Sequence, residues 1–279
     1  MSDTKKKKKK AMKIISYLNL IILSFLLIGS SCKKNDEPIE DQSGRLNFYF
    51  THVVAEEEVY YDTIRYQNAA GNPFMVSEIQ YFISDVTLHK GDGSKVLIDA
   101  WKNMHYVDSD LSDTWQWKMK DSIPPGIYDS ITFTFGITEE KNHSLMFVNQ
   151  PESNMFWPEY LGGGYHYLKL NGKWKDTNDV IRPYNFHMGI GQIYDQNSGE
   201  IIGFIHNDFD VSLKNSGFKV DNNETIAFTI VMDVNKWFED PHDFDFNYWG
   251  GDIMQNQDAM FIAKENGYNV FSAHRMIEK

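Results

Sequence analysis

The segment "RLNFYFTH", residues 45–52, alternates apolar and polar side chains along its length. Leu46, Phe48 and Phe50 fall on one face of an extended strand, because successive side chains of a strand point to opposite faces. The segment "ETIAFTIVMDVNKWF" (224–238) is longer and rich in β-branched residues, and it predicts a central strand. Together these two segments favour a fold that is built on β-sheets.

Further strand patterns lie between these two segments. "SEIQYFISDVTLH" (77–89) begins with the same alternation, and "YDSITFTFG" (128–136) follows a Pro-Pro-Gly turn. "GYHYLKLNGKW" (164–174) contains Asn-Gly near its end, a dipeptide typical of hairpin turns. "WQW" (115–117) predicts two Trp side chains on one face of a strand.

One helix is predicted near the end of the chain, in "GDIMQNQDAMFIAKENG" (251–267). Asp252 is a candidate N-cap and Gly267 a candidate stop signal. Many short strands with intervening loops and one short C-terminal helix predict a mainly β fold. We expect a β-sandwich or barrel-like single domain that spans residues 45–279.

The N-terminal residues 1–31 have the pattern of a signal peptide. Lysines at positions 5–10 precede an apolar run at 14–28, which is short for a membrane span. The run ends in "LLIGSSC", a looser form of the bacterial lipobox, and Cys32 is the only cysteine in 279 residues. We expect cleavage before Cys32, lipid attachment to it and anchoring to the membrane.

Two alternatives to this N-terminal prediction stay open. The segment is also compatible with an ordinary secretory signal in which the cysteine has no role, and translation starts at Met1 or at Met12. Residues 32–44 are polar and acidic, and they predict a flexible tether.

Composition excludes several classes of function. Removal of residues 1–31 takes away seven Lys and one Asp, which moves the formal net charge from −12 to −18. A protein this acidic is repelled by phosphates, so a nucleic-acid ligand is not expected. Without cysteine after position 32, a metal would need His, carboxylate or Met ligands. No standard catalytic signature is present, and we expect no enzyme activity.

Histidine is the residue type that suggests a site. Three of the nine histidines lie in strand-like segments: His52, His166 and His187. His166 and His187 are 21 positions apart, and two successive antiparallel strands would bring them face to face. Imidazoles that meet across strands suit Cu, Zn or Ni. The alternative for each of them is a half-buried histidine that is hydrogen-bonded to the backbone.

Several segments resemble the MbnP-like domain of Bacteroidetes lipoproteins, which is named for a periplasmic protein associated with the copper-chelating peptide methanobactin. The segments that carry the resemblance are "QYFISDVTLHKGDGS" (80–94), "HYVD" (105–108), "PPGIYDSITFTFGI" (124–137), "NMFWPEYLGGGYHYLKLNGKW" (154–174), "FHMG" (186–189) and "DFNYWGGDIMQNQDA" (245–259). They extend over most of the chain after residue 44.

The resemblance implies copper handling in the cell envelope, by an outer-membrane lipoprotein that faces the periplasm or the cell surface. Relatives bind copper with His side chains and a kynurenine made by oxidation of a Trp. The resemblance also implies a dihaem partner, related to cytochrome c peroxidases, that performs that oxidation. Family motifs at 155–157 and 186–189 nominate Trp157 and His187 in this chain.

Strand context adds His166 and His52 as further ligands, with Tyr165 and Tyr167 as groups that orient the rings. Family members often carry a second Trp where this chain has Glu159 and Tyr160. Trp115 and Trp117 are therefore rival candidates for the oxidised residue. The alternative function is a surface lipoprotein that binds a glycan or another ligand, or serves as a structural accessory, without metal.

Overall fold

The computed structural model describes residues 43–98 and 103–276, in which strands are the main element. The strands are β1 Arg45–Val54, β2 Glu57–Glu58, β3 Tyr66–Gln67, β4 Pro73–His89, β5 Lys95–Leu97, β6 Met104–Asp108, β7 Gln116–Lys118, β8 Gly126–Tyr128, β9 Ser130–Phe135, β10 Leu168–Lys175, β11 Ile181–Met188, β12 Ile190–Tyr194, β13 Ile201–His206, β14 Phe209–Leu213, β15 Phe218–Val220, β16 Thr225–Asp233 and β17 Phe271–Met276. The α-helices are α1 Phe246–Trp249 and α2 Gln257–Gly267. Short 3₁₀ segments lie at Ser112–Trp115, Glu152–Met155, Glu159–Leu161 and Val234–Phe238.

The first sheet has the strand order β17-β16-β1-β2, and β7 also pairs with β1. Strands β1 and β16 run parallel, with Arg45 opposite Thr225 and Val53 opposite Asp233. The alternation in β1 is confirmed, since every second residue from Leu46 to Val54 is buried. The prediction that β16 is a central strand is also confirmed, because it lies between β1 and β17.

The second sheet is organised around the 17-residue strand β4. Its main order is β11-β10-β4-β9-β14, and β3, β5 and β6 pair with β4 as well. Strand β4 changes partner at Phe82. The Phe82 N–H donates to the Tyr167 carbonyl over 3.1 Å, while its own carbonyl accepts from the Gly136 N–H over 2.9 Å.

The core lies between the inner faces of these two sheets and is largely aromatic. Tyr81 of β4 lies 6.3 Å from Phe50 of β1 and 6.0 Å from Phe271 of β17, measured between ring centroids. Phe135 of β9 stacks on Tyr81 and touches Trp237. Two sheets joined face to face by such contacts form a sandwich, so the mainly β, sandwich-like fold is confirmed.

The predicted C-terminal helix is confirmed, but its predicted start is wrong. Helix α2 begins at Gln257, and the Asn256 side chain caps it by accepting from the Ala259 N–H. Asp252 instead forms a β-bridge with Asn185. The predicted stop is confirmed, since the helix ends at Gly267.

The hairpin predicted at Asn171-Gly172 is wrong, because β10 runs through both residues and turns only after Lys175. The register between β10 and β4 shifts at this dipeptide, which marks a β-bulge. A Cβ built on Gly172 would lie 2.1 Å from the Met75 carbonyl oxygen, so the position needs a glycine for close packing.

The predicted signal peptide, the lipidation site Cys32 and most of the tether lie outside the described residues and stay predictions. Among the residues described, no helix is both long and apolar enough to cross a membrane.

Gly172→Ala should lower the free energy of unfolding by about 2–3 kcal/mol, because the new methyl group overlaps backbone as well as the Tyr184 ring. The matched control is Gly203→Ala in β13, where an added Cβ meets only side-chain atoms of Ile193, at 3.3 Å or beyond. Urea unfolding curves measure both variants. Equal losses in the two would contradict the packing argument.

Candidate metal site

Two histidines predicted as ligands meet where β10 begins and β11 ends. Leu168 pairs with Met188 and Lys169 with His187, so His166 lies just before the paired segment, on the side where β11 finishes. The His166 and His187 rings have centroids 5.2 Å apart and planes at 85°. The prediction that these two imidazoles meet is confirmed, but His166 lies just before β10 rather than in it, and the two rings meet edge to face.

The local hydrogen bonds of His166 determine its tautomer. Nδ1 lies 2.9 Å from the Met155 carbonyl oxygen, which only accepts hydrogen bonds. Nδ1 must therefore carry the proton, and in the neutral ring Nε2 carries the lone pair. Because the backbone N–H of His166 donates to the same carbonyl, the ring is fixed relative to the chain.

The tautomer of His187 is determined by a relay of two further side chains. The Asn171 amide nitrogen donates to Glu78 Oε2 over 2.7 Å, so its oxygen must point the other way. That oxygen lies 2.7 Å from His187 Nε2, which consequently carries the proton. The lone pair of neutral His187 is left on Nδ1.

A polar chain continues from Glu78 across the outer face of the second sheet. Gln80 Nε2 donates to Glu78 Oε1 over 2.9 Å and to Asp108 Oδ2 over 3.0 Å. The Tyr106 hydroxyl donates to the same Asp108 oxygen over 2.7 Å. The chain therefore links strands β6, β4, β10 and β11 and ends on His187.

Both imidazoles stay neutral well below physiological pH. Burial, followed by repulsion from Lys169 and from the protonated form of His187, lowers the pKa of His166 to about 3. Burial and Lys169 lower the pKa of His187 to about 4. A neutral ring is the form that binds a metal ion, so no proton has to leave either lone pair at neutral pH.

Trp157 belongs to the same cluster. Its ring centroid lies 4.6 Å from that of His166, and the Trp157 side chain is fully buried. Its indole N–H donates to the Leu161 carbonyl over 3.1 Å. A Cβ built on Gly189 would lie 2.6 Å from the indole ring, so the glycine that follows β11 makes room for Trp157.

Comparison with known proteins places this chain in a family. A sequence profile described as MbnP matches residues 43–268. The chain belongs to the MbnP family. Among solved structures, MbnP from Methylosinus trichosporium matches with a TM-score of 0.55 and 14% sequence identity, over 84% of this chain and 99% of that one. No curated protein matches this chain.

In this MbnP-family chain His52 lies apart from His166 and His187. It projects from β1 into the core, where its ring meets Tyr81 at 5.7 Å. Tyr81 and Gln80 are consecutive in β4, so their side chains lie on opposite faces of the sheet, and the His187 relay runs on the Gln80 face. The structure therefore does not bring His52 to the other two histidines.

His52 lines a separate pocket of about 110 Å³. Its other lining residues are Phe50, Thr51, Glu58, Val59, Tyr61 and Trp115. Within the described chain, His52 Nε2 is buried and has no hydrogen-bond partner. Burial lowers the pKa of His52 to about 4, so this ring is neutral too.

The two rival tryptophans do not share a strand face as predicted. Trp115 ends a 3₁₀ segment, is 42% exposed, and donates its indole N–H to the Asp108 carbonyl. Trp117 lies in β7 and is buried, and its ring stacks on His105 at 5.1 Å. Neither contact involves His166 or His187, whereas Trp157 touches His166 directly.

Sequence reasoning missed the polar residues around the histidine pair. Tyr165 and Tyr167 were expected to orient the rings, but their hydroxyls bond the Phe147 backbone and Asn142. Asn171 and a backbone carbonyl orient them instead. Within residues 43–98 and 103–276, no set of three or more His, Cys, Asp or Glu side chains is arranged to hold a metal ion, so the site offers a pair of nitrogen donors.

Acidification should destabilise the protein through four buried imidazoles. Burial is the main cause that lowers the pKa of His52, His105 and His187 to about 4 and that of His166 to about 3. An unfolded histidine has a pKa of about 6.5. From pH 6.5 down to about 4 the unfolded chain therefore binds protons that the folded chain does not, and the free energy of unfolding falls.

At pH 5.5 we expect these four histidines to take up about three to four protons on unfolding. The slope of the unfolding free energy against pH, from urea unfolding curves, measures that number. Combining His166→Gln with His187→Gln should reduce the uptake by about two. The control is His274→Gln, at an exposed position in β17. An unchanged slope in the double variant would refute the assignment.

Proposed function

We propose that this protein binds copper at His166 and His187, as a cell-envelope lipoprotein that handles copper and is not itself an enzyme. The observation that supports this most is the pair of neutral imidazoles 5.2 Å apart, each with its proton held by a protein acceptor. Membership of the MbnP family supports the same metal.

The donor set fits copper chemically. Two imidazole nitrogens suit copper, and no thiolate is available after Cys32. His166 would offer Nε2 and His187 would offer Nδ1, since their other nitrogens carry protons. Metal-bound histidines commonly donate their second ring N–H to a carbonyl or carboxylate, which fixes the ring and raises its basicity. The Met155 carbonyl has this role for His166, and the Asn171–Glu78 relay has it for His187.

Trp157 is the proposed precursor of a third ligand. Oxidation to kynurenine breaks the indole C2–C3 bond and adds the two oxygen atoms of one dioxygen, and hydrolysis then releases the formyl group as formate. The product is an aryl ketone with an aryl amine, next to His166. Contact with His166 favours Trp157 over Trp115 and Trp117. The dihaem partner of the family is the proposed source of the activated oxidant.

The N-terminal pattern supports the location. Cleavage and lipidation at Cys32 would tether the β domain to the outer membrane through residues 32–44, facing the periplasm or the cell surface.

The His52 pocket supports the alternative function. Its aromatic walls, with Trp115 partly exposed, suit a small ligand or a sugar that stacks on the indole. Binding on a glycan array that persists after metal chelation would favour this alternative.

Protein purified from its native envelope should carry about one copper per chain, measured by elemental analysis. His187→Ala and His166→Ala should each lower the bound copper at least tenfold, because one donor of a two-nitrogen site is lost. His52→Ala is the matched control and should leave copper binding unchanged, because His52 belongs to β1 and packs against the opposite face of the second sheet.

Mass spectrometry of the peptide containing Trp157 should show the shift from tryptophan to kynurenine. Trp157→Phe should abolish that shift and weaken copper binding, whereas Trp115→Phe should do neither. Unmodified Trp157 together with metal-free protein, under copper-replete conditions with the dihaem partner present, would overturn the proposal.

Asn171→Leu should weaken copper binding roughly 10- to 100-fold, because His187 loses the acceptor that keeps its proton on Nε2. Nitrogen NMR shifts of the metal-free protein should show the Nε2–H tautomer of His187 in the wild type and a mixture in the variant. Asn185→Leu, an exposed neighbour on β11, is the control for both readouts. Weaker binding without a change of tautomer would show that Asn171 acts only through folding.

A further inference from the structure

A lysine lies directly beside the histidine pair. Lys169 is opposite His187 in the register of β10 and β11, and opposite Gln80 in the register of β10 and β4. Directly paired residues on one sheet face have Cβ atoms about 4.5–5.5 Å apart. Lys169 Nζ donates to the Asn154 carbonyl over 2.6 Å, which holds the ammonium group over this part of the sheet.

The charge of Lys169 reaches both imidazoles. It is one of the causes that lower the pKa of His166 and of His187. Burial lowers the pKa of Lys169, and the negative charges of Glu78 and Asp108 oppose this shift by favouring its charged form. Lys169 is thus a positive charge that acts on both rings of the ligand pair.

Sites that bind divalent metals are often completed by carboxylates, which offset the charge of the ion. Here the nearest carboxylate to His187 along the relay is Glu78, and the Asn171 amide separates the two. The site therefore combines two neutral nitrogens with one positive neighbour.

We propose that Lys169 is a specificity-determining residue that biases this site towards a monovalent metal ion and against divalent ions. The inference rests on the proposed copper function. Coulomb repulsion grows in proportion to the charge of the bound ion, so Lys169 disfavours a divalent ion twice as strongly, in free energy, as a monovalent one. At about 6–10 Å and an effective dielectric constant of about 20, one unit of ion charge corresponds to roughly a 10- to 100-fold change in affinity.

The test compares Cu(I) with Zn(II), which are d¹⁰ ions of different charge and without the redox change of Cu(II). Dissociation constants for Cu(I) are measured anaerobically by competition with a chromophoric Cu(I) chelator, and those for Zn(II) with a chromophoric Zn(II) chelator. Both are measured on the same preparation of full-length mature protein, so that any inactive fraction affects the two equally.

Lys169→Met removes the charge and keeps an unbranched apolar chain. We expect it to tighten Zn(II) binding by about the square of the factor by which it tightens Cu(I) binding. Lys169→Arg keeps the charge and should keep the selectivity of the wild type. Lys173→Met is the control on the same strand, because its side chain is exposed and it pairs with Pro183 rather than with His187.

Equal changes for the two ions in Lys169→Met would overturn the inference and leave the proposed function standing, since Lys169 would then act only through packing. A loss of selectivity in Lys169→Arg equal to that in Lys169→Met would overturn it as well. A wild-type protein that binds neither ion, with Trp157 oxidised or not, would overturn both the proposed function and this inference.

Discussion

The candidate site depends on the change of partner by strand β4 at Phe82. One backbone residue joins two neighbours there, by donating to Tyr167 and accepting from Gly136. A Cβ on Gly136 would lie 2.7 Å from the Tyr167 ring, so this glycine lets the two segments approach. Because Tyr167 is held by β4 on one side and by the Met188 carbonyl on the other, His166 can only emerge at the end of β11, beside His187.

Placing two imidazoles together in a buried position is costly unless each is neutral and hydrogen-bonded. The fold meets both conditions with one group from a 3₁₀ segment and one from strand β10. Met155 offers a backbone carbonyl, and Asn171 offers its side-chain oxygen. The same asparagine bonds Glu78, so the orientation of His187 is tied to the pairing of β10 with β4. The pairing of β10 with β4 therefore also determines the tautomer of His187.

Strand alternation was sufficient to predict strands such as β1, because burial on one face leaves a period of two that a sequence shows directly. It was also sufficient to predict that His166 and His187 lie close together, because their spacing fits one hairpin. It failed for Asn171-Gly172, where the requirement for close packing against Met75 overrides the turn preference of the dipeptide. It did not predict that His52 lies apart from His166 and His187, because which face of a strand is buried depends on which sheets pack together. Lys169 was missed because only the register shows what a charged strand residue faces.

Trp157 shows how packing and chemistry coincide in this cluster. Gly162, Gly163 and Gly164 come shortly after Trp157, and all three have positive φ. The backbone N–H of Trp157 donates to the Gly164 carbonyl, so the chain folds back tightly over the indole. The intact indole is a fused ring, fixed on one edge by the Leu161 carbonyl.

Cleavage of its C2–C3 bond would convert that rigid ring into an aryl group that rotates about the bonds of the new ketone. The amine derived from the indole nitrogen would then no longer be confined to Leu161 and would gain access to the His166 side of the ring. Complete burial is therefore compatible with a role as ligand precursor, because oxidation itself supplies the freedom that the packed side chain lacks.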